Sequence, residues 1–254
     1  MGPDATARAG GSRTRPYRSA RRQGQARRTR QRIIDAATAE FSSRGYAATT
    51  MAAIGAGAGV SVPTVEQAFR TKANLLKAAI DVAIAGDDEP VPVLERPAAV
   101  TAAAATTAET FLAVVSAAVA DVAERAAGLV LVAFEAAAGD ARLRPLAGQL
   151  RDNRAAMAGW IVDGLAARAP LRPGIDSSHA VDVVWLLMDP AVFTRLRTDR
   201  GWSRQRFQQW FADSIARLLT DHPGRPRRPL LPESAPPTWN AKPAGGTPTD
   251  RARL

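Results

Sequence analysis

Apolar residues recur along the chain at the i, i+3, i+4, i+7 spacing of an amphipathic helix. Ile33, Ile34, Ala37 and Phe41 share one face, which predicts a helix from Thr29 to about Arg44, ended by Gly45. Met51, Ile54 and Ala58 make a second face, and Val65 and Phe69 point inward from a third. Thr71 can cap a fourth helix over Lys72–Ala85. After a proline-rich stretch, Phe111, Leu112, Val115, Val119 and Val122 mark an alanine-rich helix over 98–127. Gly128 is expected to separate it from a short apolar helix over 129–138, in which Glu135 reads as the partner of an arginine such as Arg154. Leu146, Leu150, Met157, Trp160, Ile161 and Leu165 define a long helix from about Arg142 to Ala169. The run from Val181 to Met188 is apolar on nearly all sides, which predicts cover on both faces, and Asp189-Pro190 marks a kink or restart. Ser203 then caps a helix to Asp221 carrying Phe207, Trp210, Phe211, Ser214, Ile215, Leu218 and Leu219 in one wide stripe.

The second and third helices lie close together, and the residues between them are those of a sharp turn. Thr49 or Thr50 can cap the second helix by accepting a backbone N–H that the first turn leaves unpaired. Gly59 tolerates the positive φ that such a corner often needs, and Val60 can seal it. Ser61 supplies the next cap, and Pro63 is tolerated in a first turn because its missing N–H would have had no partner there. With Val65 and Phe69 inward, Val62, Thr64, Glu66, Gln67 and Arg70 can face outward. Two helices joined in this way form a helix-turn-helix, whose second member can lie in a DNA major groove. Gly55 and Gly57 in the second helix each cost about 1 kcal/mol relative to Ala, so packing has to hold it.

Gly45-Tyr46, Thr49-Thr50, Ile54, Ala58-Gly59-Val60-Ser61, Thr64, Phe69, Lys72 and Leu75-Leu76 together resemble the DNA-binding domain of the TetR family of transcriptional regulators. The resemblance spans roughly Arg28 to Ala85, and Trp185-Leu186-Leu187 and Arg200-Gly201-Trp202-Ser203 are similar to segments in some members. It implies an all-α homodimer with an N-terminal three-helix DNA-binding domain and a larger helical domain for ligand binding and dimerisation. Lys72 stands where relatives touch a phosphate, and the last two long helices resemble a four-helix dimer interface. Members usually carry aromatic residues late in the recognition helix, where this chain has Glu66 and Ala68, so the phosphate contacts of those aromatics do not carry over.

On this basis the expected DNA-contacting set is Arg27, Arg28, Thr49, Thr50, Ser61, Val62, Thr64, Glu66, Gln67, Arg70 and Lys72. Gln67 is the best base reader by chemistry, because a side-chain amide can pair with both N6 and N7 of adenine. Phe111, Val115, Phe134, Met157, Trp160 and Trp185 are expected to line an effector site, and the abundant alanines suggest an apolar effector. Val184, Leu187, Phe207, Trp210, Phe211, Ser214 and Leu218 are expected at the dimer interface. The expected organisation is a disordered arm over 1–27, the helix-turn-helix domain over 28–85, a connecting loop over 86–97, the effector and dimerisation domain over 98–221, and a disordered tail over 222–254.

Charge refines this picture. The net charge is +10, but residues 1–32 carry +9 and residues 222–254 carry +4, which leaves −3 for everything between. Residues 33–85 are balanced, so attraction to DNA has to come largely from the arginine-rich arm, which follows phosphates or enters the minor groove unless it is only a solvated tail.

The remaining chemistry is sparse. The absence of cysteine excludes disulfides and thiolate chemistry, and neither histidine lies near an acid cluster in sequence. Asp87, Asp88 and Glu89 lack the spacing of a calcium loop, and the glycines of 55–59 lack a following Lys-Ser/Thr. The expectation is therefore no catalytic site, no metal and no cofactor. Without an apolar run of membrane-span length or a signal-peptide core, a cytoplasmic protein without membrane contact is expected. A helical effector-binding scaffold with weak or lost DNA binding is the alternative, and an enzyme on the same helical fold is a third class.

Overall fold

A computed structural model of the chain describes residues 15–221, with side chains from Arg22 onward. Residues 1–14 and 222–254, and with them most of the expected arm and the expected tail, lie outside the described residues. The described residues form ten α-helices in succession and contain no strand beyond a single bridge between Leu171 and Thr220.

Helix α1 runs from Arg15 to Ala48, so residues 15–27, expected as irregular, are helical. It is broken at Gly45, whose φ of 70° and ψ of 178° lie outside helical space, as the sequence predicts. Helices α2 (Met51–Ala58), α3 (Val62–Phe69) and α4 (Lys72–Ala85) follow. A connector with a 3-10 turn at Val93–Glu95 leads to α5 (Pro97–Ala104).

The alanine-rich segment departs from expectation twice. It breaks before Thr107, whose hydroxyl accepts from Thr110 N and opens α6 (Ala108–Gly139). That helix then continues through Gly128 without interruption. One glycine costs about 1 kcal/mol, which the burial of its neighbours Ala126, Ala127, Leu129 and Val130 outweighs. A 3-10 turn at Ala141–Leu143, capped by Asp140, leads to α7 (Arg144–Ala166). Asp176 caps α8 (Ser177–Leu187), Asp189 caps α9 (Pro190–Thr198), and Ser203 caps α10 (Arg204–Leu219).

Two cores form. The first gathers Ile33, Phe41, Ile54, Val65, Phe69, Leu75 and Ile80 from α1–α4, and it is closed by Leu129, Val130 and Ala133 of α6 with Leu143, Leu146 and Leu150 of the α7 region. The second gathers Phe111, Val115, Ile161, Val162, Leu165, Val184, Phe193, Phe207, Phe211 and Ile215 from α6–α10. Helix α6 is thus a wall of both. Gly164 on α7 faces Phe111 on α6, and a Cβ there would overlap the ring, so glycine sets how closely the two helices approach.

Candidate nucleic-acid interface and effector cavity

Local chemistry builds the turn between α2 and α3. Thr50 Oγ1 accepts from Ala53 N at 3.1 Å, which settles which threonine caps α2. Gly59 adopts φ 65° and Val60 N bonds Gly55 O at 2.9 Å, closing the helix end. A Cβ on Gly55 would lie 3.0 Å from Val60 O and 3.6 Å from Val65 Cγ2, so this glycine lets α3 pack against the end of α2. Its helix-propensity cost is the condition for that approach.

Helix α3 buries Val65 and Phe69 and leaves Glu66, Gln67 and Ala68 exposed, with Val62 and Thr64 half-buried. Arg70, exposed just after it, has φ 64°, an uncommon conformation for a residue with a Cβ. The hydroxyl of Ser61 lies 2.9 Å from that of Thr64 and does not cap the helix, contrary to expectation.

Several residues of the expected DNA-contacting set are engaged elsewhere. Thr49 is 1% exposed and donates to Gly45 O at 2.7 Å, so it secures the end of α1 and is not available to DNA. Lys72 Nζ donates to Tyr46 O at 2.7 Å and Thr49 O at 2.8 Å, filling two of its three N–H positions. Burial lowers its pKa, assisted by the charge of Arg142 and opposed by Asp140. Burial likewise raises that of Tyr46, and Asp140 adds to the effect. On α1, Arg28 is exposed, whereas Arg27 pairs with Glu89 at 3.4 Å and Arg30 with Asp88 at 3.0 Å.

A cavity of about 830 Å³ lies in the larger helical region, bounded by α4–α7, α9, α10 and the connector. Of the expected lining, Val115, Phe134, Met157 and Trp160 are on its wall. Phe111 and Trp185 are not: Phe111 is fully buried against Gly164 and Trp160, and Trp185 lies under Arg154, whose Cζ is 3.9 Å from the ring centroid.

Three arginines on the wall escape any apolar periodicity. Arg154 pairs with Asp189 at 2.5 Å, which replaces the expected pairing with Glu135, itself an exposed residue. Arg96 makes a two-pronged contact with Asp87 at 2.8 and 3.0 Å. That bond, followed by the Glu89 backbone N–H, holds the Asp87 carboxyl below its ordinary range. Arg125 donates from Nε to Ala83 O at 2.9 Å and from Nη2 to Ile84 O at 3.3 Å, capping the last turn of α4. Sequence spacing could flag none of these, because long side chains reach partners far along the chain.

The expected dimerisation set divides. Val184, Phe207, Phe211 and Ser214 are buried within the second core, with Phe207 at 1% and Phe211 at 0% exposure, so they serve their own fold. Leu218 at 45% and Leu186 at 57% are exposed, and Leu187 and Trp210 are half-buried. The α8 run buries Ala180 and Val184 against its own chain, the one face that a single chain can cover.

The family model described as bacterial regulatory proteins, tetR family, matches residues 33–79, which span the end of α1 through most of α4. The chain carries a TetR-family helix-turn-helix domain. No curated protein matches its sequence. Among solved structures, the TetR-like arrangement recurs in FadR of Bacillus subtilis in complex with stearoyl-CoA, at 18% identity and a TM-score of 0.59, covering 74% of this chain and 98% of that one. NalD of Pseudomonas aeruginosa, the secondary repressor of the MexAB-OprM multidrug efflux pump, aligns at 20% identity and a TM-score of 0.57, covering 77% and 98%. KstR2 of Mycobacterium tuberculosis, a ketosteroid transcriptional regulator, aligns at 20% identity and a TM-score of 0.51, covering 76% and 95%. At these identities the likeness is one of fold: a TetR-type helix-turn-helix domain followed by a helical domain. Among the described residues, no helix is long and apolar enough to cross a membrane, and no group of three His, Asp or Glu could hold a metal ion.

Proposed function

We propose that the protein is a ligand-responsive, non-enzymatic DNA-binding repressor acting as a homodimer on a pseudo-palindromic operator. The observation that carries this reading is the orientation of α3, anchored by Val65 and Phe69 with Glu66, Gln67 and Ala68 turned outward. Val62, Thr64 and Gln67 face bases, and Thr50, Arg28 and Arg70 face phosphates. Two such helices enter successive major grooves. The exposed Leu186 and Leu218, with the half-buried Leu187 and Trp210, belong to the subunit contact.

The 830 Å³ cavity has the size of a small-molecule site, and FadR, of like fold, is known in complex with stearoyl-CoA. An effector there releases DNA only to the extent that it binds the released arrangement better than the DNA-bound one. The working divisions are the helix-turn-helix domain at 28–85 and the effector and dimerisation domain at 98–221.

The test is selection of bound DNA fragments, including those flanking its own coding region, followed by titration of the recovered site at several salt concentrations. Saturable binding of one dimer to a short inverted repeat supports the reading. A second reading, an effector-binding scaffold with weak DNA binding, draws on the internal engagement of Thr49 and Lys72 and the pairing of Arg27 and Arg30 with the connector. Weak binding indifferent to sequence brings it forward.

A further inference from the structure

The cavity wall is not uniformly apolar at its connector end. Arg125 lines it, and among the described residues its guanidinium is held by two α4 carbonyls, those of Ala83 and Ile84. No ion pair among the described residues involves it. Its Nη2 lies 3.7 Å from where a Cβ on Gly86 would stand, so it sits beside the first residue of the connector. Arg96, also on the wall, reaches the next residue, Asp87, and keeps a buried Nε that no protein atom accepts from. Two guanidiniums thus converge on Gly86-Asp87, one without a carboxylate partner and one with a donor unmet. Val93 and Leu94 of the same connector line the cavity and are 38% and 48% exposed, so the cavity is bordered there by solvent-facing apolar residues.

We propose that the cavity takes an amphipathic acid, its anionic head held by Arg125 and Arg96 and its apolar body lying against Phe134, Met157 and Trp160. This rests on the effector reading and departs from its expectation of an apolar ligand in adding an anionic head. A carboxylate or phosphate supplies acceptors that bond a guanidinium more strongly than neutral carbonyls do. The head therefore competes with Ala83 O and Ile84 O for Arg125, and the loss of those bonds loosens the end of α4 from α6. Binding and release are linked through one side chain.

The test uses the full chain, with tryptophan fluorescence reporting occupancy through Trp160, and three probes of equal tail length: dodecanoate, dodecyl phosphate and dodecanol. Either anion is expected to bind at least about tenfold more tightly than the alcohol, about 1.4 kcal/mol, and the stronger of the two identifies the head. Arg125→Gln is expected to abolish most of that preference and Arg125→Lys to keep part of it, each with an unchanged far-ultraviolet spectrum. Equal affinity for acid and alcohol overturns the anion assignment and leaves an apolar effector site standing. An anion preference that survives in Arg125→Gln and in Arg96→Gln removes it from these residues. Failure of all three probes to bind overturns the proposal. Tight anion binding without release of the selected operator fragment leaves the site in place and sinks the effector reading instead.

Discussion

The ammonium of Lys72 lies 4.2 Å from the centre of the Tyr46 ring while bonding that residue's carbonyl at 2.7 Å, so the first turn of α4 clasps the broken end of α1. Replacing Lys72 with Met leaves the carbonyls of Tyr46 and Thr49 without this donor. Each unmet acceptor costs about 1–3 kcal/mol, about 2–6 for the two, and relief of the desolvated charge offsets part of it, so a net loss of about 2–3 kcal/mol is expected. Denaturant unfolding measures it. A variant as stable as the parent, but weaker on all DNA sequences, would return Lys72 to the phosphates.

Gly55→Ala is expected to destabilise, although Ala favours helix, because the new methyl meets the Val60 carbonyl at 3.0 Å. Overpacking of this kind costs about 1–3 kcal/mol against a propensity gain of about 1. At Gly57 the nearest atom is Ala36 Cβ at 3.3 Å and the residue is exposed, so Gly57→Ala is expected to be nearly neutral. Thermal melting of the two variants decides, and an equal effect on both is the outcome that contradicts this account.

Gln67→Ala is expected to relax sequence preference by about 1–3 kcal/mol at one base pair in each half-site. Titration against single-position operator variants reads this directly. Uniform weakening on all of them makes Gln67 a positioning residue.

Leu186→Asp and Leu218→Asp are expected to yield folded monomers, since both side chains are exposed in the single chain. Phe207→Asp, at a position 1% exposed, is expected to unfold the second core instead. Sedimentation together with circular dichroism separates the outcomes; dimers that persist in both leucine variants place the subunit contact elsewhere.

The Asp87 carboxyl is held below its ordinary 3.8 by its bond to Arg96. Its contribution to stability is therefore complete above about pH 3.8 and is lost as pH falls through the lower folded value. Asp87→Asn is expected to flatten the acid limb of the stability profile below that point. An unchanged limb assigns the acid sensitivity to other carboxylates, among them Asp140, which Arg142 depresses in the same sense.

What the sequence makes legible here is local. The caps at Thr50, Thr71 and Ser203, the restart at Asp189-Pro190, and the stops at Gly45 and Gly59 each need only neighbouring groups. The inward and outward faces of α3 follow from Val65 and Phe69 alone. What stays hidden depends on distant partners. Periodicity places Phe207 and Phe211 on an apolar stripe but cannot say whether their own chain or another covers it. Gly128 reads as a break because its local cost is visible, while the packing that outweighs it is not. Arg125 and Arg96 are invisible as cavity residues, since nothing in their spacing indicates that they converge on one loop.

The unbroken course of α6 has one more consequence. Its 32 residues make a rod about 48 Å long at 1.5 Å per residue, and no proline interrupts it. One part completes the core beneath the helix-turn-helix, and another completes the core beside the cavity. Melting either core strips a wall from the other, so heating is expected to give a single sharp transition, and a fragment ending at residue 85 would lack the surface against which its own helices close.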